Sequence, residues 1–113
     1  MSAGKYNITA DQGSTFKLDF TVTTDGAGWN LSTYSARMQV RTSVGASTTL
    51  LSLVSPTNIT LGSSGTVSIV VSAATMATVV AGRFVYDFEV ESAGGEVTRI
   101  LEGKFTVKAE VTR

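Results

Sequence analysis

The sequence predicts an all-β fold: an immunoglobulin-like antiparallel β-sandwich of about seven to eight strands with one short helical crossover. Three observations carry this prediction. Apolar residues recur with period two along most of the chain. Turn-forming clusters interrupt them at short intervals: DQG, DGAG, SVGAS, the lone Pro56 and LGSSG. One stretch, SAATMATVVAG, carries helical spacing instead. An open barrel of the same strands is the alternative. With no cysteine in the chain, the cysteine–tryptophan–cysteine pattern of antibody domains is absent, so the likeness is one of architecture.

Residues 6–9 form a short strand candidate ahead of the DQG turn. In STFKLDFTVT, Phe16, Leu18, Phe20 and Val22 share one face, and Lys17, Asp19 and Thr21 the other. YSARMQVR places Ala36, Met38 and Val40 inward and Arg37, Gln39 and Arg41 outward. Residues 48–53 and 58–61 are weaker strands, and GTVSIVVS offers Val67, Ile69 and Val71. One-sided alternation of this kind belongs to antiparallel strands with one dry and one wet face. In the helical segment Ala73, Met76, Ala77 and Val80 fall at i, i+3, i+4 and i+7. Ser72 is a suitable N-cap and Gly82 a suitable stop, which predicts one to two turns linking two strands.

The last third reads as a hairpin. RFVYDFEVE puts Phe84, Tyr86, Phe88 and Val90 on one face and Asp87, Glu89 and Glu91 on the other. SAGG supplies the turn, and the return strand puts Val97, Leu101, Phe105 and Val107 on the dry side. A loop of even length would set Val90 against Val97, Tyr86 against Leu101 and Glu91 against Glu96. The crowding of Asp87, Glu89, Glu91, Glu96 and Glu102 then follows from strand parity, as the wet side of a hairpin. A carboxylate-only hydrolase would instead require two of these acids to face each other across a cleft, one with a raised pKa. Parity also turns Arg99 toward Phe88 and the core, costly for an unpaired guanidinium. Either a bulge resets the register, with Gly103 its candidate site, or Arg99 reaches an edge and pairs with a carboxylate. The functional alternative is that Arg99 and Glu102 anchor a neighbouring subunit.

Composition narrows the function classes. At 113 residues the chain is expected to be one domain, residues 1–113, large enough to fold without disulfides or metals. It has no cysteine and no histidine, which removes thiolate and histidine metal sites and histidine-dependent nucleophiles. No catalytic residue, cofactor or metal site is therefore expected. Nine basic and nine acidic residues cancel without forming runs, so nucleic acid is not an expected partner. The start MSAGKYNITA has neither the basic residues nor the apolar run of a signal peptide, and no apolar run spans a bilayer, which predicts a soluble protein made in the cytoplasm. The N-x-S/T triplets at Asn7, Asn30 and Asn58 are discounted on that basis.

Other features are weaker. DGAGWN has oxygen donors at Asp25 and Asn30 but lacks the spaced acidic ligands of a calcium loop, so it reads as a β-turn. Trp29 in that turn either folds over the end of the core or is displayed to a partner, and Tyr34 shares either role. As stacking platforms the two would suit a carbohydrate-binding module.

The stretches GRFVYDFEV, GGEVTRILEG and FTVKAEVTR resemble small β-sandwich virion structural proteins of tailed bacteriophages, including those infecting cyanobacteria. KYNITADQGSTFKLDFTV and DGAGWNLSTYSARMQVR are similar to the opening of the same proteins, and SAATMATVVAG to their helical crossover. The resemblance covers nearly the whole chain, with its most specific pieces at 82–91, 96–103 and 109–113. It implies a virion protein associated with the tail, baseplate or fibre attachment, with capsid decoration as the alternative. Its partners would be other virion proteins, in a homo-oligomer or symmetric array. It implies no catalytic residue. The matching positions Tyr86, Arg99, Glu102 and Arg113 are candidates for structural pairs or contacts. The terminal strand FTVKAEVTR and the arm MSAGKYNIT either complete the domain's own sheets or add to a neighbour's.

Overall fold

The computed structural model describes residues 4–24, 27–43, 45–46, 49–55 and 57–109. Asp25, Pro56 and Arg113 lie outside them. The strands are β1 (Gly4–Lys5), β2 (Ile8–Asp11), β3 (Phe16–Thr21), β4 (Thr23–Thr24), β5 (Ala27–Gly28), β6 (Ser35–Arg41), β7 (Thr49–Val54), β8 (Ile59–Leu61), β9 (Thr66–Val71), β10 (Gly82–Glu91) and β11 (Val97–Lys108), with the helix α1 (Ala73–Met76) between β9 and β10.

Nine of these strands form the predicted sandwich, and β4 and β5 pair with each other. The larger, six-stranded sheet runs β1-β11-β10-β6-β7, with β2 also on β11; the smaller runs β3-β9-β8. In immunoglobulin terms β3, β9 and β8 take the places of strands B, E and D, and β7, β6, β10 and β11 those of C′, C, F and G. The expected alternation holds on the facing sides. Ala36, Met38 and Val40 of β6, Val67, Ile69 and Val71 of β9, and Tyr86, Phe88 and Val90 of β10 are all buried. Aromatic pairs bridge the two sheets: Phe16 meets Phe105 edge-on at 5.6 Å, and Phe20 meets Phe88 at 5.4 Å. Among the described residues no charged side chain is buried, so the core is held by apolar burial and these ring contacts.

Three expectations need correction. First, the N-terminal segment is not one strand at 6–9 but two short ones, β1 and β2, both parallel to β11 at one constant register. The ladder is interrupted at Tyr6 and Asn7, where the Asn7 side-chain oxygen accepts from the Lys104 backbone N–H at 3.1 Å. Second, the helix takes the shorter of the expected one to two turns, and it is its inward set and its stop that differ. Ser72 caps it by accepting from the Thr75 N–H, as expected, but the chain leaves the helix after Met76, so Val79 is buried while Val80 is 67% exposed. Helical spacing overreached because the segment must turn into β10 within a few residues.

Third, the hairpin register differs. Ser92 N–H donates to the Glu96 carbonyl, and Gly95 takes a φ of 92°, so the loop 93–95 is odd in length. Glu91 therefore faces Val97, not Glu96, and Val97 is exposed. A bulge opposite Phe88 and Glu89 then inserts Ile100, which is buried, and brings Tyr86 opposite Gly103 instead of Leu101. Gly103 is not the bulge. It is glycine because a Cβ there would strike the Tyr6 carbonyl and lie 3.1 Å from Asn7 Oδ1, where the N-terminal segment crosses it.

Candidate functional site

The outer face of the larger sheet collects the titratable side chains that the hairpin sequence crowds together. Outward positions on β6 supply Arg37, Gln39 and Arg41; on β10, Asp87, Glu89 and Glu91; on β11, Arg99, Glu102 and Lys104. Because β10 lies between β6 and β11, its carboxylates are flanked by guanidiniums on both sides. Arg37 Nε is 2.6 Å from Glu89 and its Nη1 3.0 Å from Glu91. Arg99 lies 3.5 Å from Asp87 and 3.7 Å from Glu102.

Arg99 thus points outward rather than into the core. The bulge at Ile100 changed the parity of β11, and the guanidinium then found two carboxylates. Both of the expected remedies operate together, a bulge and an ion pair, with the bulge three residues before the expected Gly103. Asp87 and Glu102 are direct cross-strand neighbours. Partial burial raises the Asp87 carboxyl above its ordinary value, and the charge of Glu89 adds to this, while Arg99 opposes it. Each of these four carboxylates is paired with a guanidinium on an open face, two to each arginine. Among the described residues no cluster of acids is placed to hold a metal ion.

Between these rows lies a shallow depression of about 520 Å³, lined in part by Lys5, Asn7, Arg41, Asp87, Glu102 and Gly103. Tyr86 also lines it. Its ring packs against Phe105 at 6.2 Å, and its hydroxyl donates to the Tyr6 carbonyl at 2.6 Å, pinning the N-terminal segment to the sheet. Desolvation by burial pushes the Tyr86 hydroxyl up to about 12. A tyrosine that ionises near 10 when unfolded and near 12 when folded favours the folded state fully below pH 10 and loses that contribution as the pH rises to 12. Tyr86→Phe is expected to cost about 1 kcal/mol at pH 7 through the lost hydrogen bond. It is also expected to flatten the fall in stability between about pH 10 and 12. Urea unfolding of both proteins across that range measures each effect.

A second prediction concerns the ion pairs. Arg99→Ala is expected to lower stability by less than about 1 kcal/mol, because the pairs are about half exposed and longer than hydrogen bonds. Chemical denaturation measures it, and a loss above about 2 kcal/mol would mean that Arg99 holds the bulge in place.

Trp29 and Tyr34 lie elsewhere, at an end of the sandwich. The Trp29 N–H donates to the Val22 carbonyl, and the indole meets Tyr34 edge-to-face at 5.5 Å. Both rings are partly buried against the core, so the reading in which Trp29 folds over the core end is the one the structure takes. An edge-to-face pair presents no common flat platform for stacking a sugar ring. Asn7 and Arg37, which organise the N-terminal crossing and the carboxylate row, were not singled out from sequence. Arg37 was within reach of parity reasoning, since it shares the outward set of its strand. The chain matches no protein-family model and no curated protein.

Proposed function

We propose that this is a non-enzymatic virion structural protein of a tailed bacteriophage, made in the host cytoplasm and assembled into the tail, baseplate or fibre attachment through contacts with other virion proteins. One observation carries the reading. Two of the three most specific pieces of the phage resemblance, 82–91 and 96–103, fall on the β10–β11 hairpin, where its polar residues serve as joints. Tyr86 latches the N-terminal segment, Arg99 ties Asp87 to Glu102, and Gly103 admits the crossing chain. A hairpin whose polar residues form joints suits a module that offers rigid surfaces and strand edges.

Quantitative mass spectrometry of purified particles tests it, with this protein counted against the major capsid protein. A low count matching baseplate or fibre components is the expected result. A count comparable to the capsid protein would move the protein to the head as a decoration protein. Absence from particles would sink both locations.

A further inference from the structure

In immunoglobulin sandwiches of the constant type the sheet that holds strands B, E and D has a fourth strand beside the one that β3 replaces. Here the segment that would supply it, β1 and β2, lies on β11 of the other sheet, leaving β3 at the end of β3-β9-β8. The edge is straight: β3 pairs with β9 from Phe16 to Thr21 without a register shift. Val22 N–H donates to the Gly65 carbonyl and Val70 N–H to that of Asn58. By alternation the backbone groups of Phe16, Leu18 and Phe20 point to β9, and those of Lys17 and Asp19 point outward. Among the described residues nothing pairs with them.

Natural edges are usually blunted by charges, proline or a bulge. This one is the opposite of blunted toward its own image, because residues 15–21 read TFKLDFT, the same in both directions except that lysine exchanges with aspartate. We propose that a second copy of this chain pairs with β3 antiparallel about a two-fold axis through Leu18. Lys17 then faces the partner's Asp19, and Asp19 the partner's Lys17. Both are hydrogen-bonded pairs, using the four outward backbone groups of each strand, and both juxtapose opposite charges on the wet face. On the dry face Leu18 meets its own image, and Phe16 meets the partner's Phe20, covering Leu18 and Phe20, which are only partly buried in one copy. The result is a continuous sheet β8-β9-β3 followed by its symmetry mate, an isologous contact that closes on itself. The dimer does not depend on the virion reading, since it concerns the purified chain alone.

Sedimentation velocity from about 1 µM to about 1 mM tests it, with a dimer dissociation constant expected in the micromolar range. Lys17→Asp and Asp19→Lys each set like charges opposite one another twice, so each alone is expected to weaken dimerisation at least roughly tenfold. The double exchange, Lys17→Asp with Asp19→Lys, restores opposite charges and is expected to return the dimer to within about threefold of the natural chain. Asp19→Pro removes an outward N–H without touching the β9 ladder and is expected to be folded and monomeric. Thermal melts of dilute samples check that each variant folds. A natural chain that stays monomeric at about 1 mM overturns the proposal. So does a dimer indifferent to the single exchanges, or one that the double exchange fails to restore.

Discussion

Phe105→Ala is expected to remove about 3–5 kcal/mol of stability, a large share of the roughly 5–15 kcal/mol that a folded domain possesses. The residue sits where the most structure converges. It is fully buried, lies opposite Phe84 in the β10–β11 ladder and beside Ile8 of the parallel N-terminal strand, and touches Phe16 of the opposing sheet and the ring of Tyr86. Removing the ring opens a cavity between two sheets whose backbones are fixed by their own hydrogen bonds, so little collapse can refill it. Urea unfolding measures the loss. A cost below about 1.5 kcal/mol would mean that the sheets close around the gap and that the inter-sheet aromatic contacts are not what holds the sandwich.

Gly65→Ala has the second large expected effect, about 3 kcal/mol, and Gly95→Ala is its control. Both glycines have a left-handed backbone, with φ of 89° and 92°. A Cβ at Gly95 would meet nothing, whereas at Gly65 it would strike the Val22 carbonyl and lie 2.8 Å from the Trp29 nitrogen. Those are backbone atoms of a junction in which Val22 N–H donates to the Gly65 carbonyl and Trp29 N–H to that of Val22. Gly95→Ala therefore reports the conformational strain alone, about 1 kcal/mol, and the excess at Gly65 reports the collision. The collision should also displace the indole. A shift in native-state tryptophan fluorescence in the Gly65 variant, absent from the Gly95 variant, is the accompanying signature. Equal costs at the two positions would show that the junction yields freely.

Most of the strands were legible because each buries one face, and a period of two is the direct record of that. The pattern fails where something other than burial decides. The loop 93–95 has its odd length set by hydrogen bonds to Ser92, which apolar alternation does not encode. The bulge at Ile100 was foreshadowed by Arg99, since a guanidinium assigned to a core demands a change of parity, but its position was not. Gly103 drew attention correctly and for the wrong reason. Its missing side chain makes room for Tyr6, a partner remote in sequence. The parallel placement of β1 and β2 left no local trace at all, because their residues alternate in the same way whichever sheet they join. At the site, the carboxylates on the wet face were readable from parity, while their pairing with Arg37 required knowing that β6 lies beside β10.

The N-terminal strands also govern how the molecule comes to be folded. Ile8 pairs with Phe105 and Asn7 with Lys104, contacts that span 97 positions of the chain. A nascent polypeptide lacking β11 has nowhere to put residues 4–11, and the Tyr86 hydroxyl has no carbonyl waiting for it. The larger sheet is completed only after β11 has left the ribosome. Closing so long a loop before any reward is gained places such a domain among the slow folders, on the millisecond-to-second scale.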